Sequence, residues 1–257
     1  MSKEGTIIEF QDVHKSFGSL TVLDGVNLEI KRSETTVIIG ESGTGKSVLL
    51  KHIVGLIRPD KGRVLFEGRD ISGLSENELM KVRTKFGFLF QGGALFDSMS
   101  ALENVAFPLR EHTGKSNEEI LEIAREKLKM VGLEQVAEQM PGSLSGGQKK
   151  RVALARAIAL GPEVILYDEP TTGLDPIRSD VIDELILKLK RQLKVTSIVV
   201  THDRKSAYKV ADRILMLYKG KFIFDGTAEE IKNVRDKRIC QFVSGQAGRE
   251  ELKLLDV

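Results

Sequence analysis

Two glycine-rich segments lie about a hundred residues apart: Gly40-Glu41-Ser42-Gly43-Thr44-Gly45-Lys46-Ser47 and Ser145-Gly146-Gly147-Gln148. The first fits G-x-x-x-x-G-K-[ST] at every fixed position. Its glycines let backbone N–H groups converge on phosphate oxygens, and the start of a following helix adds a favourable dipole. Lys46 is then placed to reach the β- and γ-phosphates of a nucleotide such as ATP, and the Ser47 hydroxyl to ligate Mg2+. VILYDEP (164–170) supplies acids of the right kind. Asp168 ends an apolar strand, where a carboxylate holds Mg2+ opposite Ser47. Glu169 follows, and strand alternation points it elsewhere, towards an attacking water as general base. His202 ends the apolar run TSIVVTH (196–202), at the sheet edge where ligands bind, so its imidazole suits a γ-phosphate contact.

The second glycine-rich segment is another anion site. Ser145 can cap a helix, Gly146 and Gly147 bare their N–H groups, and the helical VALARAIAL follows. Residues 40–47 already cradle the chain's own nucleotide. The economical use of Ser145–Gln148 is therefore to grip the γ-phosphate bound to a second copy, in an isologous two-fold dimer.

These residues need elements to position them. TTVIIG (35–40), VILYD (164–168) and TSIVVTH (196–202) read as buried strands, and KSVLLKHIVGL (46–56) and VIDELILKLKRQL (181–193) as helices. Buried strands alternating with helices predict an α/β fold with a mostly parallel core sheet. TIIEF (6–10) and TVLDGVNLEI (21–30) alternate like antiparallel strands with one wet face, and RPDKGRVLFEGRDI (58–71) reads as turn, strand, turn. FGFLF (86–90) is a short strand, and RILMLYKGKFIFDG (213–226) a hairpin turned at Lys219-Gly220. From Gln91 to Pro141 the chain is expected to be mostly helical, with a Ser116/Glu119 capping box opening one helix. Beyond about Lys237 an arm is expected.

Composition narrows the partners. The 257 residues carry 39 basic and 37 acidic groups, a net charge of +2, which gives no basic excess for nucleic acid. A single cysteine, Cys240, excludes an internal disulfide and fits a cytosolic home. MSKEGTIIEF is not a secretory peptide, and no run of about 18 apolar residues spans a bilayer. A membrane role has to come through a partner.

LSGGQ at 144–148, the phosphate loop before it and VILYDEPTTGLD (164–175) after it together resemble the ATP-binding subunit of ABC transporters, over nearly all of residues 7–230. The resemblance implies a P-loop NTPase cassette over 6–230, with an N-terminal antiparallel β subdomain, a helical subdomain inserted at about 92–160, and a C-terminal extension at 231–257. By position it makes Phe17 the aromatic that stacks on adenine, and Gln91 the glutamine that approaches Mg2+ and water and couples to the membrane partner. Ser145, Gly146, Gly147 and Gln148 become the signature, Asp175 the aspartate of the dimer-interface loop, Glu169 the catalytic glutamate and His202 the switch histidine. Plainer readings stand beside these: Phe17 as core, Gln91 as a solvated turn, and Met80, Met99, Met130 and Met216 as core filler. His14, His52 and His112 lack metal spacing, Lys149–Arg151 read as a solvated helix turn, and Cys240 as a plain tail residue.

One compact cassette without a fused membrane span implies a separate integral-membrane permease, with the chain peripheral on the cytoplasmic face of the inner membrane. FQGGALFDSMSALENVAFPLREHT (90–113) is similar to the ATPases of Mla/Mce-type phospholipid transporters. That group implies cargo moving between inner membrane and envelope, a small STAS-type protein, an envelope lipid-binding subunit, and an extension reaching across the dimer. The tail DKRICQFVSGQAGREELKLLDV (236–257) starts like theirs and then departs. The alternatives are a solute importer or lipoprotein-release ATPase, a soluble non-transport ABC ATPase, and a P-loop kinase, in which LSGGQ has no role.

Overall fold

The structure is a computed structural model that describes residues 5–245. In chain order the strands are β1 (Thr6–Phe17), β2 (Leu20–Lys31), β3 (Thr35–Ile39), β4 (Lys61–Phe66), β5 (Arg69–Asp70), β6 (Phe86–Leu89), β7 (Val164–Asp168), β8 (Thr196–Thr201), β9 (Arg213–Tyr218) and β10 (Lys221–Gly226). The helices are α1 (Lys46–Ile53), α2 (Glu76–Arg83), α3 (Ala101–His112), α4 (Asn117–Met130), α5 (Gly146–Ala157), α6 (Pro176–Leu193), α7 (Arg204–Val210) and α8 (Lys237–Ser244).

The continuous apolar strands are apolar because both faces are covered. They form a six-stranded sheet ordered β10-β9-β3-β8-β7-β6, parallel except for the β9–β10 hairpin. On one face Ile38, Val164, Leu166, Ile198, Val200, Leu215 and Leu217 join a core with α1 and a second, antiparallel sheet ordered β2-β1-β4-β5. On the other, Val37, Ile39, Ile165, Tyr167, Val199, Ile214 and Met216 pack with residues of α3, α4, α5, α6 and α7. Alternate residues of one strand thus feed two cores, as a doubly covered sheet requires.

Several boundaries differ from the sequence reading. β1 runs on to Phe17 through register shifts after Phe10, near Asp12 at φ 49, and these bulges break the alternation that ended the reading at residue 10. α1 stops at Ile53, because Gly55 turns left-handed at φ 63. α6 begins at Pro176 rather than 181, since Asp175 accepts from the Ile177 and Arg178 amides and Pro occupies the first turn. The helices α2 and α7, of 8 and 7 residues, are too short to show an apolar period in the sequence. The segment 92–100 is irregular, so helix between Gln91 and Pro141 is confined chiefly to α3 and α4. Met216 is buried, but Met80 is 48% exposed and is not core filler.

The expected arm beyond Lys237 is also corrected. Residues 237–244 form α8, capped by Asp236, with Ile239 buried and Phe242 and Val243 against the helix-side core. The Arg204 guanidinium, at the start of α7, donates to the Val243 carbonyl. Two turns were too short for their apolar spacing to register. The rest of the expected extension, 246–257, lies outside the described residues. Among the described residues no helix is long and apolar enough to cross a membrane.

α6 and α7 meet at a buried carboxylate. Asp183 is 4% exposed; its Oδ2 accepts from Ser206 Oγ at 2.8 Å, while its Oδ1 is buried without a partner. Burial pushes its pKa up to about 6, opposed by Ser206 and Lys209 and reinforced by Asp203 and Asp180. The folded chain keeps this proton up to about pH 6, whereas the unfolded chain releases it near pH 4. The group's stabilising contribution is therefore full below about pH 4 and is lost as pH rises through about 6. Asp183→Asn keeps an acceptor for Ser206 and removes the titration. Thermal melts should find this variant about 1–3 kcal/mol more stable than wild type near pH 7.5, with the gap closing near pH 4.

Candidate nucleotide site

Register brings the chemistry together. Ile39 of β3 pairs with Thr201 of β8, Val200 of β8 with Asp168 of β7, and Tyr167 of β7 with Leu89 of β6. Four neighbouring parallel strands therefore release their loops at one carboxyl edge, where ligands bind in such sheets. A cavity of about 380 Å3 opens there, lined by residues including Phe17, Gly43, Lys46, Gln91, Glu169 and His202. Phe17 closes one side from the end of β1, 48% exposed, with Lys15 Nζ 5.5 Å from its ring centroid.

The phosphate loop has the shape its sequence demands. Gly45 sits at φ 99 as the cap of α1, and a Cβ there would meet Val22 Cγ1 at 2.6 Å. Gly43, at φ 80, faces open space within the cavity lining, so its backbone is approachable by a phosphate. Gly40, Glu41, Ser42 and Thr44 complete the turn, closed by the Thr44 hydroxyl donating to the Glu41 carbonyl at 2.9 Å. Lys46 is 5% exposed, and its ammonium donates to the Gly40 and Glu41 carbonyls at 2.8 Å each. Burial holds its pKa below the usual lysine value, against the pull of Glu169, Asp168 and Glu41.

Ser47 Oγ donates to Asp168 Oδ1 at 2.7 Å. Burial raises the Asp168 pKa; the Ser47 bond opposes that rise and Glu169 adds to it. These two hard oxygens fit Mg2+, which takes few protein ligands and shares the rest with phosphate and water. Among the described residues no cluster of three or more His, Cys, Asp or Glu forms a closed metal cage.

Glu169 has partners different from those of Asp168, and strand alternation is not the reason. It lies beyond β7 in the left-handed region at φ 50, while its amide still donates to Val200 O at 2.9 Å. That conformation costs about 1–2 kcal/mol in a non-glycine residue. Strain of this kind gathers at working sites. Oε2 accepts from Thr172 Oγ1 at 3.1 Å and lies 2.8 Å from His202 Nδ1; Oε1 is 4.0 Å from Lys46 Nζ. Glu169 is thus buried at the cavity wall with a phosphate-loop lysine and the half-exposed His202 beside it. Gln91 is exposed, two residues past β6, and lines the same cavity.

Ser145, Gly146, Gly147 and Gln148 are not among the residues lining this cavity, and neither is Asp175. They stand at helix starts. Ser145 Oγ accepts from the Gln148 amide at 3.3 Å, and Gln148 Oε1 accepts from the Ser145 amide at 2.8 Å. This reciprocal box commits Gln148 to the cap, leaving the Ser145 hydroxyl a hydrogen to donate. Asp175 caps α6 and lies 3.3 Å from Arg178 Nε.

The sequence reading missed two residues here. Lys150 does not belong to a solvated turn: it is 7% exposed, and its ammonium donates to the Glu169 carbonyl at 3.1 Å. Burial holds its pKa down, with Glu169 opposing. Arg156, six residues further along α5, donates to the Gly93 and Ala94 carbonyls at 2.8 Å each and so pins the loop after Gln91. The signal was available. Lys150 precedes Ala153 and Leu154 at helical spacing and shares their buried face, although it lies within a run of three cations.

Residues 23–172 match the ABC transporter family. The chain is 45% identical to the Haemophilus influenzae "Intermembrane phospholipid transport system ATP-binding protein MlaF", covering 94% of this chain and 91% of that protein. It is 44% identical to the Mycobacterium leprae "Probable ribonucleotide transport ATP-binding protein mkl", covering 94% and 70%. Among solved structures, a post-hydrolysis dimer of the ATP-binding cassette MJ0796 with ADP and Pi superposes with a TM-score of 0.80 at 38% identity, covering 86% of this chain and 99% of that one. With this likeness running through the phosphate loop, the acidic strand end and the signature helix, the chain belongs to the ABC transporter family, as an ATPase cassette.

Proposed function

We propose that two copies of the chain close around two ATP molecules, each copy lending Ser145–Gln148 to the nucleotide held by the other. The observation that carries this reading is the split of the site. One cavity gathers Phe17, the phosphate loop, Gln91, Glu169 and His202, while the second anion-gripping helix start lies outside its lining. In the closed dimer Lys46 and the loop amides hold the β- and γ-phosphates, and Phe17 stacks on the adenine. Ser47, Asp168 and Gln91 would hold Mg2+, which would supply charge neutralisation at the phosphates. Glu169 takes the proton of a water attacking the γ-phosphorus in line, as the bond to the bridging oxygen breaks. His202, 2.8 Å from Glu169, keeps that carboxylate oriented and senses the γ-phosphate. Asp175, at the exposed start of α6, serves the contact between copies.

Hydrolysis drives a separate permease from the cytoplasmic face of the inner membrane. A second cavity, of about 420 Å3, has Phe88, Phe90, Phe96, Phe107 and Met80 among its lining. It adjoins the loop that begins at Gln91, and this apolar groove suits the end of a permease helix. The cargo is phospholipid moved between inner membrane and envelope, supported by the MlaF relatives and the wording of 90–113. A STAS-type protein and an envelope lipid-binding subunit belong to the same reading. A ribonucleotide cargo is the second reading, favoured by the equally similar mycobacterial relatives.

The deciding experiment is a native-membrane pull-down of Glu169→Gln with ATP, with proteins and lipids identified by mass spectrometry. A lipid permease with bound phospholipid is the expected catch. A solute permease without lipid would discard the cargo and keep the ATPase.

A further inference from the structure

Lys150 is an expensive residue to bury. A desolvated ammonium is stabilising only where its surroundings give much back, and an apolar side chain would fill the same space at lower cost. Lys150 nevertheless sits 7% exposed, with its ammonium 3.1 Å from the backbone carbonyl of Glu169. That carbonyl belongs to the left-handed residue whose side chain faces the cavity. Fixing it fixes the peptide plane just beyond the carboxylate, and with it the turn that aims Glu169.

The other end of the connection is the start of α5. Lys150 lies five residues after Ser145, on the helix that the Ser145–Gln148 box caps. The same helix start packs against the segment following Glu169: a Cβ on Gly147 would lie 3.4 Å from Arg178 Cδ, and one on Gly146 would lie 3.7 Å from Leu174 Cδ2. A rigid helix therefore joins an outward anion-gripping end to the backbone of the acid in its own cavity.

We infer that Lys150 is a positioning residue that links the two ATP sites, conveying engagement of the second copy's nucleotide at Ser145 to Glu169 in its own cavity. This rests on the reading of the ATP-bridged dimer. Each site then hydrolyses fully only when the other is filled, and turnover rises cooperatively with ATP.

The test measures ATP hydrolysis by the purified full-length chain against ATP concentration, for wild type, Lys150→Met, Lys150→Arg and Glu169→Gln, with equilibrium ATP affinity measured in parallel. Lys150→Met should lower kcat about 10- to 100-fold, the scale of a misplaced catalytic group. Its ATP affinity should stay within about twofold of wild type, because the phosphate loop is untouched. Its Hill coefficient should fall to about 1, the value for sites that no longer communicate. Lys150→Arg, which keeps a charged donor, should restore both kcat and cooperativity. Wild-type kcat and cooperativity in Lys150→Met, beside an inactive Glu169→Gln, would overturn this inference alone. So would a joint loss of affinity and kcat that arginine does not rescue, the mark of a merely structural lysine. Turnover persisting in Glu169→Gln would remove the base assignment and this inference together. Should the methionine variant fail to fold, Lys150→Ala, which also lacks a donor and leaves room for water at the Glu169 carbonyl, is read by the same criteria.

Discussion

Glu169→Gln should still bind ATP and should hydrolyse it about 10^2- to 10^4-fold more slowly than wild type, the range carried by a positioned general base. The amide is nearly isosteric and keeps an oxygen to accept from Thr172, which lies 3.1 Å from Oε2. The left-handed backbone at φ 50 and the Lys150 contact to the main-chain carbonyl do not involve the carboxylate. What disappears is the only function an amide cannot perform, accepting the water's proton. Lys46, Ser47 and Asp168 remain, so nucleotide is retained and the closed dimer outlives its wild-type counterpart. Steady-state phosphate release and size-exclusion chromatography with ATP check the two halves. Turnover at the wild-type rate would show that another group takes the proton.

Ser145→Arg tests where the second anion site acts. Ser145 is outside the lining of the cavity holding Lys46 and Glu169, so its replacement should leave ATP binding intact. Hydrolysis and ATP-dependent dimerisation should fall by about 100-fold or more, because the capping hydroxyl is lost and a long side chain obstructs the helix start that has to approach a phosphate. Mixing makes the test sharper. A dimer of one Ser145→Arg chain and one Glu169→Gln chain contains one site with both groups intact and one with neither, but only if Ser145 serves the other copy. Two inactive proteins should then regain turnover with a ceiling of about a quarter of wild type, since half of randomly formed dimers are mixed and each has one working site; coupling through Lys150 keeps recovery below that ceiling, because the chain with the intact Glu169 carries the Ser145→Arg helix start. No recovery would place Ser145 in its own chain's site.

Residues in a fixed local pattern were legible: the phosphate loop, Glu169 just past β7 and His202 are all marked in the sequence, and residues of each line one cavity. They could be read because the motif requires a buried strand before it, and uninterrupted apolar runs reveal such strands. What escaped depends on contacts remote in sequence. Lys150 looked solvated because its buried face is set by the distant turn at Glu169. Asp183 gave no sign that α7 would cover it, since α7 is too short to show a period. The antiparallel strands were cut short where bulges break alternation, and α8 is a two-turn helix held by Arg204, 39 residues upstream of the carbonyl it grips. The proposed trans role of Ser145–Gln148 is a relation between two molecules, and a single chain supports it only by leaving those residues outside the lining of its own cavity.

The position of β3 also bears on how the protein is made. Its neighbours are β8 and β9, and Thr35 pairs with Ser197, about 160 residues later in the chain. A ribosome adding about 5–20 residues per second needs roughly 8–30 s to deliver that partner. Through that interval β1 and β2 can already pair, while the phosphate loop emerges on a strand with no sheet to join. The nascent chain thus acquires its nucleotide pocket only after β8 and β9 have emerged, and a ribosome stalled before β8 would carry the full P-loop sequence without a site to bind ATP.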